Sequence, residues 1–169
     1  MKKKKTTTYT VRAGALLVMG ALAIAGSALP GVSAAEASRK SHNLLGESVG
    51  LVGYDPVSYF PEGGGRPAKG LISIATEHEG VTYRFATEAH KAAFLKSPAK
   101  YVPAFGGWCT WAVAELGKRV DVDPESYVVK DGRLLVFYRD PALDTRAKFL
   151  ESPDALLKKA QANWPALAK

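Results

Sequence analysis

Residues 71–96 read LISIATEHEGVTYRFATEAHKAAFLK, and this pattern predicts two strands followed by a helix. The apolar residues Val81, Tyr83 and Phe85 alternate with polar ones, which predicts one buried face because successive side chains of a strand point to opposite sides. Glu79-Gly80 predicts the turn that joins this strand to the one before it. The predicted elements are strands over 71–78 and 81–85 and a helix over 88–96, which follows the N-cap residue Thr87.

The rest of the chain continues this mixture of strands and helices. Asp131-Gly132 is a strong two-residue turn signal and predicts a second hairpin, formed by residues 127–129 and 134–138. Further helices are predicted over 108–116, 142–150 and 153–163. We therefore expect an α+β fold in one compact domain over 49–169, with a hairpin-plus-helix unit, a second β-hairpin and C-terminal helices.

The N-terminus has the pattern of a cleavable secretion signal. The basic segment Lys2–Lys5 precedes an apolar run, Ala13–Ala28, which is too short for a comfortable membrane span. Small residues follow, so we expect cleavage after Ala34 or Ala35. The expected organisation is a signal peptide over 1–35 and a flexible lead-in over 36–48, in a periplasmic or secreted protein with no stable membrane anchor after cleavage.

Charge and composition exclude two classes of function. The signal carries five of the 23 basic residues and no acidic residue, so 18 basic and 16 acidic residues remain, a net charge of +2. Such a chain lacks the basic surface that a phosphate backbone requires, so nucleic acid is not an expected partner. Met1 and Met19 both leave with the signal, which rules out a methionine-rich copper(I) site.

Cys109 is the single cysteine of the chain and lies between Trp108 and Trp111. An unpaired thiol in an oxidising compartment is expected to be buried, to bind a metal, to take part in chemistry or to pair with another molecule. Two interpretations stay open. The thiol is either a metal ligand, redox group or nucleophile near a helix N-terminus, or a small apolar residue buried beneath the tryptophans.

Five separated motifs stand in order along the chain: Gly53-Tyr54-Asp55-Pro56-Val57-Ser58-Tyr59-Phe60, Tyr83-Arg84-Phe85-Ala86, Phe105-Gly106-Gly107-Trp108-Cys109, Asp123-Pro124-Glu125 and Asn163-Trp164-Pro165. Together they resemble the YHS-domain family, in its secreted bacterial branch. The resemblance covers roughly residues 49–167. It implies a hairpin-plus-helix unit that is distantly similar to the TRASH-like, metal-associated domains.

The resemblance also implies where a metal would be bound. The family pattern places one cysteine after an Asp-Pro-Val motif and two cysteines, four residues apart, at the junction of hairpin and helix. In this chain those positions carry Ser58, Ala86 and His90, of which only His90 is still a ligand for a metal such as copper or zinc. A thiolate-rich tetrahedral zinc site is therefore not expected.

The preferred hypothesis is a small exported binding protein that holds copper or zinc, or a small ligand, between Cys109 and His90. The expected ligand-binding residues are Asp55 and Tyr59, which belong to the first motif, and Trp108, which adjoins the thiol. The alternative is a non-metal module for protein interaction or small ligands on a YHS-like scaffold, with Cys109 buried. A third hypothesis is an enzyme that uses Cys109 as a nucleophile or redox centre, although no catalytic residue is assigned.

Overall fold

A computed structural model describes residues 30–169, with side chains from Ala35 onward, and within them an α+β fold of six helices and two sheets. The predicted fold class is confirmed. The helices are α1 Pro30–Ser41, α2 Glu88–Lys96, α3 Pro98–Tyr101, α4 Thr110–Leu116, α5 Thr145–Leu150 and α6 Pro153–Leu167. The strands are β1 Leu44–Leu45, β2 Val49–Gly50, β3 Leu71–His78, β4 Val81–Phe85, β5 Asp123–Lys130 and β6 Arg133–Phe137, and short 3-10 helices span Leu51–Gly53, Pro61–Gly63 and Ala104–Gly107.

The two predicted hairpins are both present. Strands β3 and β4 have the predicted bounds, and Val81, Tyr83 and Phe85 are buried as their alternation predicts. Strand β5 begins at Asp123, four residues before its predicted start. The cause is an irregularity in the pairing with β6 between Asp123 and Tyr127, which interrupts the alternating pattern that sequence analysis reads.

The two sheets are separate in their hydrogen bonding. The larger sheet has the strand order β1-β2-β4-β3, in which β2 and β4 are parallel and the other neighbours are antiparallel. Strands β5 and β6 form the second sheet. The short strand β2 thereby brings the segment before residue 60 onto β4, so that the first motif lies beside the end of the first hairpin.

Strand β6 lies at the centre of the molecule, because both of its faces are buried. Leu134 and Val136 belong to one apolar cluster, together with β4 and α2 residues such as Phe94. Leu135 and Phe137 point the other way and belong to a second cluster with helices α4, α5 and α6. A strand covered on both sides reads as a continuous apolar run, which is what residues 134–137 show.

Helix α2 begins where its capping residue predicts. The Thr87 hydroxyl accepts a hydrogen bond from the backbone N–H of His90 at 3.1 Å, which satisfies one of the free donors of the first turn. This cap fixes the start of the helix, and it holds His90 in the first turn, next to the end of β4. The candidate site is built at this junction.

Residues 36–48, predicted as a flexible lead-in, form hydrogen bonds with distant parts of the chain. Helix α1 continues to Ser41, and the Asn43 N–H donates to Gly106 O at 2.8 Å. The indole of Trp108 and the guanidinium of Arg119 donate to the carbonyls of Ser41 and Lys40. The partners in these bonds lie 63 or more positions away along the chain, so the local composition of residues 36–48 gives no sign of them.

The predicted signal peptide lies mostly outside the described residues. Helix α1 runs across the predicted cleavage site at Ala34 or Ala35, and its residues 36–41 follow that site. Within residues 30–169, no helix is both long and apolar enough to cross a membrane.

Candidate functional site

Asp55 is the centre of the site, and its carboxylate is fully buried, with 0 % of the residue exposed. One oxygen accepts a hydrogen bond from the Val57 N–H at 2.8 Å. The other accepts from the Ala86 N–H at 2.8 Å and lies 2.5 Å from Nδ1 of His90. A single side chain thus joins the first motif, the end of strand β4 and the first turn of α2. We call Asp55, Val57, Ser58, Ala86 and His90 the Asp55 knuckle.

The local sequence explains why the chain folds into this knuckle. Asp55 precedes Pro56, which disfavours a helical backbone and leaves the carboxylate free to accept from the residue two positions ahead. The Ser58 hydroxyl donates to the Asp55 carbonyl at 2.7 Å and accepts from the Ala68 N–H at 3.0 Å. Residues 55–60 are all buried, so these internal bonds replace water as partners.

The Asp55 knuckle fixes the orientation of the His90 ring. An ionised carboxylate can only accept hydrogen bonds, so with Asp55 ionised the proton of the bond shared with His90 lies on Nδ1. In a neutral imidazole the lone pair then lies on Nε2. The His90 side chain is 20 % exposed, so an oriented imidazole lies at the surface.

Ser58, Ala86 and His90, the positions at which the resemblance implies thiolates, each form a hydrogen bond with Asp55. None of the three is a thiolate. The Ser58 hydroxyl bonds to backbone atoms, and the Ala86 N–H and the His90 ring bond to the Asp55 carboxylate. These residues do not fit a closed, thiolate-rich metal site. In the part of the chain that the structure describes, no group of three or more His, Cys, Asp or Glu side chains is placed to hold a metal ion.

Cys109 lies elsewhere, in the core beneath helix α5, with 0 % exposure. Its sulfur is 3.4 Å from the Thr145 hydroxyl, which donates its own proton to the Tyr138 carbonyl at 2.7 Å. With its proton directed at Tyr138, the hydroxyl can take part in the contact with Cys109 only as the acceptor of the thiol proton. Cys109 shares no hydrogen-bond partner with His90 among the described residues, and the two are not part of one constellation.

Tyr59 is buried beside the knuckle. Its hydroxyl donates to the Pro124 carbonyl at 3.0 Å, and its ring meets Tyr127 edge to face at 4.9 Å. Burial raises the pKa of the Tyr59 phenol. The side chain therefore fastens the first motif to strand β5 with a neutral hydroxyl.

The free energy of unfolding is expected to fall as the pH rises above about 10, the ordinary pKa of tyrosine. Because burial raises the pKa of Tyr59 in the folded chain, the unfolded chain loses this proton first, and stability falls by up to about 1.4 kcal/mol per pH unit. Tyr59→Phe should show a smaller slope above pH 10 in urea unfolding. The remaining slope comes from the other tyrosines whose pKa is raised, namely Tyr83, Tyr54, Tyr101 and Tyr138. Equal slopes in both proteins would contradict the assignment to Tyr59.

The Trp108 side chain contacts the C-terminal end of helix α1. Its indole N–H donates to the Ser41 carbonyl at 2.8 Å, and the Arg119 guanidinium stands 5.6 Å from the centre of its ring. A second restraint comes from Gly106, whose left-handed backbone (φ 60°) lies against Ser41 so closely that an added Cβ would stand 2.5 Å from its carbonyl oxygen. Trp108 thus docks α1 on the loop before α4.

A groove that sequence analysis did not assign lies between the loop after α3 and helix α6. It has a volume of about 340 Å³, and its walls include Phe105, Arg133, Gln161 and Trp164. Trp164 belongs to one of the quoted motifs, but nothing in the sequence places it beside Phe105, whose ring it meets at 5.9 Å. The 3.6-residue period of α6 is the one sequence pattern that points to this groove, since it places Gln161 and Trp164 on the same face of the helix.

The structure thus joins two of the five predicted site residues, Asp55 and His90. Tyr59 adjoins them, whereas Cys109 is part of the core and Trp108 forms a hydrogen bond with helix α1. Comparison with known proteins found no matching family model, no matching curated protein and no matching solved structure.

Proposed function

We propose that this chain is a small exported binding protein whose ligand is an organic molecule or a protein partner. The observation that carries the proposal is the Asp55 carboxylate. It accepts from Val57, Ala86 and His90 at the place where the resemblance implies a metal with its thiolates. A carboxylate that cross-links these segments gives the scaffold its rigidity without a metal, and leaves binding to other surfaces.

The other predicted metal ligand supports the same proposal. A thiol must lose its proton to bind copper or zinc, and the Cys109 S–H is a hydrogen-bond donor to Thr145 inside the core. Binding a metal there would break this bond and open the packing around α4 and α5. For the same reason Cys109 is poorly placed as a nucleophile, which needs a thiolate within reach of a substrate.

One observation favours a second candidate function, transition-metal binding at His90. A histidine that ligates a metal commonly donates its other ring N–H to a carboxylate, and His90 does so to Asp55. Nε2 would then supply one nitrogen to a borderline metal such as Cu(II) or Zn(II), with the remaining ligands from outside the described residues or from solvent.

Calorimetric titration of the purified protein with Zn(II) and Cu(II) tests both candidates. We expect no stoichiometric binding at micromolar protein concentration, and no difference between the unmodified chain and Cys109→Ala, because the thiol is committed to Thr145. His78→Gln is the matched control for His90→Gln, since His78 packs against Phe94 away from Asp55.

The variants separate the outcomes. One equivalent of metal lost in His90→Gln, and kept in Cys109→Ala and His78→Gln, would replace the proposal by the second candidate. Binding lost in both His90→Gln and Cys109→Ala would contradict the structure around Cys109 as well, because it would require one site that contains both side chains.

A further inference from the structure

The groove beside α6 has an uncompensated positive charge. Its walls contain two basic residues, Lys100 and Arg133, and no acidic residue; the full lining is Ala99, Lys100, Val102, Ala104, Phe105, Arg133, Gln161 and Trp164. Lys100 is already paired with Glu62, at 2.5 Å. Arg133 is exposed, and no acidic group among the described residues lies within ion-pair distance of it. The groove therefore contains a guanidinium that has no carboxylate partner within residues 30–169.

The same groove is also lined by two aromatic rings, those of Phe105 and Trp164. The rings of Phe105 and Trp164 meet at 5.9 Å with an angle of 73° between their planes. Phe105 has a left-handed backbone (φ 54°), which for a residue other than glycine costs about 1–3 kcal/mol and persists only where the surroundings fix it. Here that conformation holds the nearly buried ring in the groove.

A polar group completes the lining. Gln161 precedes Trp164 by three residues on α6, so both lie on the face that borders the groove. An amide can donate to one oxygen of an anion whose other oxygen accepts from a guanidinium, and an arginine fork suits a planar carboxylate. The volume of about 340 Å³ is at the small end of the range for ligand pockets, about 300–1,000 Å³.

We propose that this groove binds a small carboxylic acid with an apolar body, aromatic or branched aliphatic. Its carboxylate would pair with Arg133 and Gln161, and its body would lie against Phe105 and Trp164. This inference rests on the proposed function, because it supplies the organic ligand of that binding protein.

A second groove shows why the charge matters. It is larger, about 500 Å³, and lies beside Trp111 between α4, α5 and α6. Its lining pairs two basic with two acidic residues, and one of these pairs, Lys159 and Glu115, is in contact at 2.8 Å. Such a balanced lining has no preference for an anion, so the carboxylate is assigned to the groove of Arg133.

Calorimetric titration with phenylacetate as the probe tests the proposal, with phenylacetamide as the neutral compound of nearly the same shape. We expect phenylacetate to bind at millimolar concentration or below, and phenylacetamide to bind at least about tenfold more weakly, because it cannot form the ion pair. Arg133→Gln should weaken phenylacetate binding by about tenfold or more. Lys158→Gln, an equal loss of charge on the exposed side of α6, should leave it unchanged.

Three results would overturn the proposal: no binding of phenylacetate, equal binding of acid and amide, or equal losses in Arg133→Gln and Lys158→Gln. The metal titration on the same samples keeps this failure distinct from that of the proposed function. If phenylacetate and metals both fail to bind, the assignment of a carboxylic acid to this groove is wrong, and the proposal of a non-metal binding protein stands. If a metal binds through His90, the proposed function fails whatever phenylacetate does.

Discussion

Replacing Asp55 with alanine is expected to lower the free energy of unfolding by about 3–5 kcal/mol. The substitution leaves the N–H groups of Val57 and Ala86 and the ring of His90 without their shared acceptor in a buried place. Water cannot replace the carboxylate there without opening the contact between the first motif, β4 and α2. Unpaired buried donors carry their full desolvation cost, and this makes the expected loss large.

Asp144 provides the matched control for this substitution. Its carboxylate also accepts from two backbone N–H groups, those of Arg146 and Ala147, but it is half-exposed at the start of α5. Asp144→Ala should cost about 1 kcal/mol, as usual for a capping residue. Urea unfolding measures both values. Similar losses in the two variants would show that the Asp55 knuckle is not a buried cross-link.

Replacing Phe94 with alanine is expected to lower the free energy of unfolding by about 3–5 kcal/mol. The Phe94 side chain is 0 % exposed and lies among aromatic rings of strand β4 and helix α3. Its ring centre is 5.1 Å from that of Tyr83, 5.2 Å from that of Phe85 and 6.4 Å from that of Tyr101. Truncation leaves a cavity that these large, rigid rings cannot collapse to fill.

The neighbouring residue Leu95 gives the control for Phe94. It lies on the same helix but is 55 % exposed, so Leu95→Ala should change the unfolding free energy by no more than about 0.5 kcal/mol. Thermal or urea unfolding compares the two variants. A loss in Phe94→Ala as small as that in Leu95→Ala would contradict the packing of α2 on the first hairpin.

The elements of this fold could be predicted wherever their signal is local. The bounds of β3 and β4 follow from alternation and a turn, and the start of α2 follows from Thr87, because each depends on residues close in sequence. The contacts of helix α1 could not be predicted. They depend on residues such as Trp108 that lie far along the chain.

The candidate site could be predicted only in part for the same reason. Asp55 and His90 were identified from motifs, but the bonds that unite them cross 31 residues to Ala86 and 35 to His90. The environment of Cys109 depends on Thr145, 36 residues away, and no spacing rule relates the two. The residue types indicate which side chains can bind a ligand or a metal. Their hydrogen-bond partners depend on the tertiary fold.

The most direct test of the account is urea unfolding of the purified protein with a chelator and again with excess Zn(II) or Cu(II), alongside Asp55→Asn. A ligand that binds only the folded state raises its stability by mass action. We expect the same unfolding free energy for the unmodified chain with and without metal, and a large loss in Asp55→Asn under both conditions. A chain that gains stability from the metal, with little effect of Asp55→Asn, would show that a metal and not the Asp55 carboxylate holds the knuckle together.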